Sequence, residues 1–311
     1  MKKFNIVFLG TPDFSVPSLE VLHNHPLINI VNIISMPDRK SGRGLDLKSP
    51  EVIEFAKNHK LPFFQTSNIN QENEFLASLE KENIDIIIVL AFAQFLGERI
   101  LKLPKIACFN IHTSLLPKYR GAAPIQYALL NGDPSTGVSI QKMVKKMDAG
   151  DIAWSQPVNI YPNETGGQLY TRLKFQAALS LNEFIYALIE NKISYTAQDE
   201  TNVSFAPTLA RQDGFLDFKN STFQQIINKV NALYPWPGTY CFLDKKRLKV
   251  MSACLESKKL QPGEVSTDHS TLLIGCKDAS IRLLQVQFEG KKPSSDITLL
   301  NGIKTVFNIN P

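Results

Sequence analysis

The sequence predicts a doubly wound, mostly parallel α/β sheet followed by a small β-barrel. The first half alternates short apolar runs with amphipathic segments, a pattern typical of strands joined by helical crossovers. The last third carries short apolar runs separated by Gly, Pro and Lys turns, which favours a small barrel or sandwich. With 311 residues, 43% of them hydrophobic, the chain has room for about two domains, each with its own core.

Compact apolar runs mark the strands of the predicted sheet. The predicted strands are 4–9, 30–34, 84–90, 106–111 and 137–141. Ser49-Pro50-Glu51 opens a helix that runs to residue 58, with Ser49 as the predicted cap and Pro50 in the first helical position. An amphipathic helix at 167–191, with apolar residues at steps of three and four, closes this part of the chain.

The remaining residues predict a smaller, separate domain. Its helix covers 222–232, and its short strands cover 238–243, 248–252, 272–275 and 281–286. The polar segment before it ends in Ala206-Pro207-Thr208 and is predicted to be a linker. The predicted domains are therefore 1–192 and 209–311, joined by a linker at 193–208.

Composition excludes several classes of protein. The longest apolar runs are far shorter than the ~20 residues that span a bilayer, and the N-terminal run is too short for a signal-peptide core. The four cysteines contain no C-x-x-C pair, so we expect no metal and a cytoplasmic protein whose cysteines pack in the core. Gly10-Thr11-Pro12 lacks the glycines of a dinucleotide-binding turn.

Positive charge is concentrated in the last third of the chain. The net charge is +5; residues 211–311 hold 14 Lys and Arg against 9 Asp and Glu, whereas residues 1–210 hold 20 of each. This asymmetry predicts a neutral part and a basic part that can bind a polyanion. A solvated lysine-rich surface is the alternative interpretation.

An Asn-x-His pair stands at the carboxyl end of a predicted strand. Asn110 and His112 share one face of that strand, about 7 Å apart at ~3.4 Å per residue. An amide N–H can donate to a developing oxyanion and an imidazole can carry a proton, so the pair suits acyl transfer. Asp148 follows the strand 137–141 and is placed to orient His112. For an isolated Asn-x-His, a structural pair in the core is the alternative.

These residues resemble the formyltransferase family that uses 10-formyltetrahydrofolate. That family carries Asn-x-His ahead of Ser-Leu-Leu-Pro and an aspartate 38 residues after the asparagine, as here. The matching segments include FLGTPDFS at the start, PDRKSGRG at 37–44, NIHTSLLPKYRGAAPIQ at 110–126, MDAGD at 147–151, FAPTLARQDGFLDF at 205–218 and YPWPGTY at 234–240. The resemblance implies a Rossmann-like formyltransferase domain and an OB-like C-terminal barrel.

The resemblance also implies a role for each matching residue. Asn110 and His112 would stabilise the tetrahedral oxyanion, while Asp148 would hold His112 and help to deprotonate the attacking amine. The implied co-substrate is 10-formyltetrahydrofolate. The residues implied to contact it are Ser114, Leu115, Leu116, Pro117, Phe92 and Gln94.

Within the family, the chain is similar to members that formylate the free α-amino group of methionyl initiator tRNA for translation initiation. The resemblance thus implies initiator tRNA as partner, and we expect the chain to be a monomer. The implied tRNA contacts are Arg39, Lys40 and Arg43, after the second strand, and Lys245, Lys246 and Arg247, in the barrel. Basic residues of this kind hold an RNA backbone without reading its sequence.

Two departures from the family pattern bear on the site. The family usually has Ala-Tyr-Gly where this chain has Ala91-Phe92-Ala93. Its aspartate loop usually reads M-D-x-G-L-D-T-G, whereas residues 143–150 read M-V-K-K-M-D-A-G and so introduce two lysines. Two alternative functions remain open: a folate-dependent formyltransferase that acts on a small amine (a ribotide or an amino sugar), and a non-catalytic RNA-binding protein.

Overall fold

The computed structural model describes residues 3–41, 46–267 and 271–301. The chain forms two compact units, each assembled from separate segments. Unit 1 comprises Met1–Gly121, Thr136–Val158 and Tyr170–Phe205, and unit 2 comprises Ala122–Ser135, Asn159–Leu169 and Ala206–Pro311. Among the described residues, no helix combines the length and apolar character needed to cross a membrane.

The strands and helices of the described residues follow the predicted alternation in the first half of the chain. The strands are β1 (Phe4–Gly10), β2 (Ile28–Ser35), β3 (Arg39–Ser41), β4 (Asp46–Lys48), β5 (Phe63–Gln65), β6 (Ile86–Leu90), β7 (Ala107–His112), β8 (Arg120–Gly121), β9 (Ser135–Lys142), β10 (Ile152–Asn159), β11 (Phe205–Ala206), β12 (Thr239–Leu243), β13 (Lys246–Glu256), β14 (Val265–Ser266), β15 (Leu273–Gly275), β16 (Ser280–Phe288) and β17 (Ser294–Ser295). The α-helices are α1 (Val16–Asn24), α2 (Glu51–Asn58), α3 (Asn73–Leu79), α4 (Glu98–Leu101), α5 (Pro124–Leu130), α6 (Gly166–Ile189), α7 (Phe223–Ala232) and α8 (Asp296–Asn301).

Unit 1 is built on a seven-stranded sheet in the order β10-β9-β7-β6-β1-β2-β5. The five strands from β7 to β5 pair in parallel, whereas β9 runs antiparallel to β7. From β1 the chain first builds outwards through β2 and β5 and then returns to add β6 and β7 on the other side. The predicted doubly wound, mostly parallel sheet is confirmed. In such sheets a ligand site is expected beyond the carboxyl ends of the central strands.

Burial of the central strands explains their apolar sequences. All five residues of β6 are buried, as a strand covered on both faces requires. Cys108 belongs to the same core, and burial raises the pKa of its thiol to about 12. The thiol therefore stays protonated at neutral pH, so it acts as a small core side chain rather than as a nucleophile.

The start of α2 differs from the prediction. The helix begins at Glu51 with Pro50 in the cap position, and Ser49 makes no capping hydrogen bond. Ser49 Oγ instead donates to Asp38 Oδ2 at 3.0 Å, while Gln65 Nε2 donates to Asp38 Oδ1 at 2.7 Å. The prediction of Ser49 as a helix cap was wrong: the helix begins one residue later, and the Ser49 hydroxyl donates to Asp38 and accepts from Lys57 Nζ at 2.9 Å instead of from a helix N–H.

Unit 2 contains an antiparallel sheet in the order β12-β13-β16-β15-β14, with β17 paired to β16. The long pairing of β13 with β16 shifts register on either side of Ser252, and such irregularities bend a strand. The apolar face of α7 packs into the same core through Ile226 and Val230. The predicted C-terminal β-domain is confirmed as a half-barrel, which stays open between β12 and β14 in the part of the chain that the structure describes.

Unit 2 also includes two segments from the middle of the chain, Ala122–Ser135 and Asn159–Leu169. Helix α5 packs against α7, and Asn228 Nδ2 donates to the carbonyl oxygen of Leu130 at 3.3 Å. The continuous boundaries 1–192, 193–208 and 209–311 remain predictions of the sequence. The compact units themselves are discontinuous along the chain.

Candidate active site

The carboxylate of Asp148 is the centre of a polar cluster at the carboxyl end of β7. Its Oδ1 atom accepts hydrogen bonds from Gln141 Nε2 at 2.9 Å and from Asn110 Nδ2 at 3.3 Å. Its Oδ2 atom accepts a hydrogen bond from the backbone N–H of Gly121 at 2.9 Å. The side chain is only 12% exposed, so these donors take the place of water.

The imidazole of His112 has one nitrogen occupied and the other turned towards this carboxylate. Nε2 lies 2.8 Å from the carbonyl oxygen of Tyr119, and because a carbonyl only accepts, Nε2 carries a hydrogen. Nδ1 lies 3.8 Å from Asp148 Oδ2. With the hydrogen on Nε2, Nδ1 is the ring nitrogen that can act as an acceptor, and it lies on the side of Asp148.

The register of the sheet accounts for the assembly of this cluster. Asn110 is opposite Gln141 and His112 is opposite Ser139 in the antiparallel pair β7–β9. Side chains directly opposite each other on one face are close enough to share a partner, and Asn110 and Gln141 share Asp148. The strand pair thus places two amides beside one carboxylate, and the loop after β9 supplies that carboxylate.

We call the loop between β9 and β10, residues 143–151, the Asp148 loop. Its backbone is held in an unusual conformation at Asp148. Asp148 has a φ of +48°, in the left-handed region that residues other than glycine adopt rarely. Gln198 Nε2 donates to the carbonyl oxygens of Asp148 at 2.9 Å and Gly150 at 2.7 Å. A Cβ atom on Gly150 would collide with the carbonyl oxygen of Lys142, so the loop can approach β9 this closely only with glycine there.

The turn predicted to contact folate is fastened to β9. Ser114 Oγ donates to the carbonyl oxygen at the far end of the turn at 2.6 Å, and Ser139 Oγ donates to the Ser114 carbonyl at 2.7 Å. Ser139 Oγ also accepts from the backbone N–H of Leu116 at 3.1 Å. Ser114 and Leu116 are buried, whereas Leu115 and Pro117 are half-buried and leave part of their surface open to a ligand.

The other two residues predicted to contact folate have side chains engaged within unit 1. Phe92 is 2% exposed and packs in the core. Gln94 donates through Nε2 to the carbonyl oxygen of Thr66 and accepts through Oε1 from the N–H of Ile69, both at 2.8 Å. Their neighbours Ala91 and Ala93 are exposed, and Gln94 is half-buried, so Phe92 and Gln94 stay predicted contacts.

The first group of predicted tRNA contacts belongs to unit 1. Strands β3 and β4 form a short hairpin in which Arg39 pairs with Lys48 and Lys40 with Leu47. Arg39 and Lys40 are exposed. Arg43 lies outside the described residues.

The second group belongs to unit 2, at the turn between β12 and β13. Lys245 and Lys246 are exposed, and both Asp244 and Lys245 have positive φ, as a tight two-residue hairpin turn requires. Arg247 differs from them because its guanidinium carbon lies 3.8 Å from the centre of the Tyr240 ring. This stacking gives the arginine a defined position on the surface.

Three polar residues of the site were missed by the sequence analysis. Gln141 ends a predicted strand, and its pairing with Asn110 requires knowledge of the antiparallel register. Gln198 lies in the segment predicted to be a linker. Arg120 lies in a matching motif, but its side chain gives no local signal of its partners, because they are about 80 residues further along the chain.

Comparison with known proteins shows which family the chain resembles over nearly its whole length. The description Formyl transferase matches residues 4–185, and Formyl transferase, C-terminal domain, matches residues 208–304. The methionyl-tRNA formyltransferase of Geobacter metallireducens is 35% identical over 305 residues, covering 98% of this chain and 97% of that protein. The methionyl-tRNA formyltransferase of Thermotoga maritima is 37% identical over 301 residues, covering 96% and 95%.

Solved structures share the fold at lower identity. An N-formyltransferase from Helicobacter canadensis, in complex with folinic acid and dTDP-3-aminofucose, aligns with a TM-score of 0.65 and 20% identity, covering 91% of this chain and 99% of that one. HypX from Aquifex aeolicus, in complex with tetrahydrofolic acid, aligns with a TM-score of 0.61 and 16% identity, covering 98% of this chain and 50% of that one. The fold is thus shared with these structures, and the two family matches, with relatives more than a third identical over nearly their whole length, make the chain a member of the formyl transferase family.

Proposed function

We propose that this chain transfers the formyl group of 10-formyltetrahydrofolate to the free α-amino group of methionyl initiator tRNA, giving N-formylmethionyl-tRNA for translation initiation. The observation that carries the proposal is the convergence of Asn110 and His112 on the carboxylate of Asp148, at 3.3 and 3.8 Å. An amide donor, an imidazole and a carboxylate around one point suit formyl transfer to an amine. The reaction proposed here requires no metal.

The proposed chemistry is attack of the amine nitrogen on the formyl carbon. A carbon–nitrogen bond forms, and the formyl oxygen becomes an oxyanion in the tetrahedral intermediate. Collapse of that intermediate breaks the bond to N10 of tetrahydrofolate, and N10 receives a proton. Asn110 Nδ2 has a second N–H to offer the oxyanion besides the one that it donates to Asp148.

Asp148 is proposed to accept the proton that the amine loses as it attacks. A carboxylate has about four acceptor positions, and the N–H groups of Gln141, Asn110 and Gly121 occupy three of them. The remaining position suits a substrate ammonium group. His112, whose Nδ1 lies 3.8 Å from Asp148 Oδ2, is proposed to help stabilise the oxyanion and to carry the proton to N10.

The choice of tRNA over a small amine is supported by the second unit and by the relatives. The relatives named methionyl-tRNA formyltransferase match over nearly the whole chain, whereas the N-formyltransferase bound to an amino sugar nucleotide is only 20% identical. The half-barrel carries the basic turn Lys245-Lys246-Arg247, which suits an RNA backbone. We further propose that the chain acts in the cytoplasm as a monomer.

The proposal is tested by measuring transfer of radiolabelled formyl from 10-formyltetrahydrofolate to three acceptors: methionyl initiator tRNA, free methionine and an amino sugar nucleotide. We expect transfer to the charged tRNA alone. Asn110→Ala should lower kcat by on the order of 10²–10³, the effect of losing one oxyanion donor. Asn58→Ala, which removes an exposed asparagine at the end of α2, is the matched control and should leave kcat unchanged.

The same assay distinguishes the alternatives. Faster transfer to the amino sugar nucleotide than to charged tRNA would identify a small-amine formyltransferase. Retention of tRNA binding without formyl transfer to any acceptor would identify an RNA-binding protein. Either result would refute the proposed function.

A further inference from the structure

The Asp148 loop is held by a closed chain of polar side chains that the roles described above do not use. Four residues form it, Gln198, Arg120, Glu200 and Lys146, and we call them the Gln198 clamp. Gln198 Nε2 donates to the carbonyl oxygens on both sides of Ala149, those of Asp148 and Gly150, at 2.9 and 2.7 Å. The clamp therefore acts on the backbone of the loop and not on the carboxylate of Asp148.

Arg120 determines which way the Gln198 amide faces. Its Nε and Nη2 atoms both donate to Gln198 Oε1, at 3.0 and 2.8 Å, and its side chain is only 1% exposed. Because the guanidinium group is donor-only, Oε1 must face it. The two amide hydrogens of Gln198 are then directed at the loop carbonyls, and Nε2 also lies 3.3 Å from Gln141 Oε1.

Glu200 closes the chain. Its Oε1 atom accepts from Arg120 Nη2 at 2.7 Å, and its Oε2 atom accepts from Lys146 Nζ at 2.9 Å. Lys146 is in the Asp148 loop itself and is one of the two lysines by which the loop departs from the family pattern. These hydrogen bonds, that from Arg120 first, lower the pKa of Glu200 to about 2, so the carboxylate is charged at neutral pH.

The clamp and the catalytic carboxylate meet in the dipeptide Arg120-Gly121. Arg120 holds Gln198 with its side chain, and the next residue donates its backbone N–H to Asp148 Oδ2 at 2.9 Å. One short strand thus supports both the backbone and the carboxylate of Asp148. Since Asp148 has a φ of +48°, its backbone would relax towards a more populated conformation if the hydrogen bonds to the loop carbonyls were removed.

We propose that Gln198 is a positioning residue for formyl transfer, with Arg120, Glu200 and Lys146 holding its amide in place. By fixing the carbonyls of Asp148 and Gly150, it keeps Asp148 in the left-handed conformation that directs its carboxylate at Asn110 and His112. The inference rests on the proposed role of Asp148 in the reaction. It adds a residue from outside the matching Asn-x-His and aspartate motifs to the machinery of the site.

The first test is Gln198→Met in the full chain, assayed for formyl transfer to charged initiator tRNA. Methionine keeps the length of the side chain and removes its hydrogen bonds. We expect kcat to fall on the order of 10–100-fold with both KM values unchanged within about twofold, because a small misplacement of a catalytic group lowers the rate of the chemical step. Gln156→Met, at a half-buried glutamine of β10 in the same unit, is the matched control and should leave kcat unchanged.

A double-variant cycle separates positioning from a purely structural contribution. If Gln198 acts through the Asp148 carboxylate, Gln198→Met should lower kcat no further in an Asp148→Asn background.

Lys146→Met should lower kcat several-fold, and Lys146→Arg, which keeps the ion pair with Glu200, should restore it. If Gln198→Met fails to fold, as judged by its melting temperature, Glu200→Gln takes its place, with a smaller loss of kcat expected.

Three outcomes would overturn the inference: full additivity of the two losses, a loss expressed only as raised KM, or a normal kcat for a folded Gln198→Met (for Glu200→Gln where it takes the place of Gln198→Met). Failure of the proposed function gives a different pattern, because the unaltered chain would then transfer formyl faster to a small amine than to charged tRNA, or to no acceptor at all. A normal kcat for Asp148→Asn would refute only the role proposed for Asp148. A low kcat for Asp148→Asn with a normal kcat for Gln198→Met would refute the clamp and leave the proposed function intact.

Discussion

Ala93 occupies a backbone conformation that suits glycine better. Its φ is +62°, and it stands where the family pattern usually has glycine. An L-residue in the left-handed region is destabilised by roughly 1–2 kcal/mol relative to a right-handed one, whereas glycine adopts either. Since Ala93 is exposed, the methyl group contributes little burial in return.

Ala93→Gly should therefore raise the free energy of unfolding by about 0.5–1 kcal/mol, the relief of strain less the entropy that glycine loses on folding. Urea denaturation measures the change. Ala77→Gly in α3 is the control with the opposite sign, since glycine in a helix interior destabilises by about 1 kcal/mol. A loss of stability for Ala93→Gly would mean that the alanine methyl makes a contact worth more than the strain.

Asn110 and His112 are expected to act on one tetrahedral intermediate. His112→Ala should lower kcat by on the order of 10²–10³, as Asn110→Ala does. The double variant should lose less than the product of the two single losses, because the second removal acts on an intermediate already poorly stabilised. Single-turnover formyl transfer measures all three rates. If the double variant instead lost the full product of the two single losses, Asn110 and His112 would act on different steps.

The loop between β9 and β10 shows how an element with an atypical sequence keeps its conformation. Its family counterpart carries a glycine and an aspartate that this chain lacks, and Lys146 in their vicinity pairs with Glu200 at 2.9 Å. Gln141 in turn accepts from the Gly150 N–H at 3.1 Å. Hydrogen bonds from β9 and from the segment after α6 thus hold the two sides of the loop.

The contribution of Glu200 to the stability of the fold should be lost as the solution becomes acidic. Its pKa is lowered from 4.5 to about 2, chiefly by the hydrogen bond from Arg120. A lowered folded-state pKa means that the stabilisation is complete above about pH 4.5 and is lost as the pH falls towards 2. The difference in melting temperature between the native chain and Glu200→Gln should be constant from pH 7 to 5 and shrink below about pH 4.5. A difference that stays constant down to about pH 3 would contradict this account.

Unit 2 is assembled from three separate segments of the chain, and this limits how RNA binding can be tested. Removing the chain from about residue 211 onward would also strip α5 and the segment Asn159–Leu169 of the partners with which they form unit 2. Truncation would therefore change folding as well as charge. Substitution of exposed lysines in an intact chain is the cleaner experiment.

Lys245→Gln with Lys246→Gln should weaken tRNA binding and reduce its salt dependence. For each lysine that no longer neutralises a phosphate, the slope of log Kd against log salt concentration should fall by about one unit, because fewer counterions are released on binding. Lys81→Gln with Lys102→Gln changes the net charge equally at exposed positions of unit 1 and should leave the slope unchanged. If the slope for Lys245→Gln with Lys246→Gln were as steep as that for the control pair, the β12–β13 turn would be only a solvated surface.

Local patterns were sufficient to predict five of the seven strands of the sheet in unit 1, the helices after residues 166 and 222, and a small C-terminal β-domain, whereas the two edge strands β5 and β10 were missed. They also singled out Asn110, His112 and Asp148 as candidates, and the fixed spacing of these residues is part of the resemblance to the formyltransferase family. Apolar periodicity reports which face of an element is buried, and that signal needs no knowledge of the partner.

The polar surroundings of the site depend on tertiary contacts. Gln198 meets Asp148 across 50 residues and Arg120 across 78, and a polar residue in an irregular segment has no periodicity that would reveal such partners. The same holds for Ser49, which bonds to Asp38 instead of capping α2, and for Ala122–Ser135, which joins unit 2 although it directly follows β8 of unit 1. Burial leaves a pattern in the sequence, whereas the choice among distant hydrogen-bond partners is made only when the chain has folded.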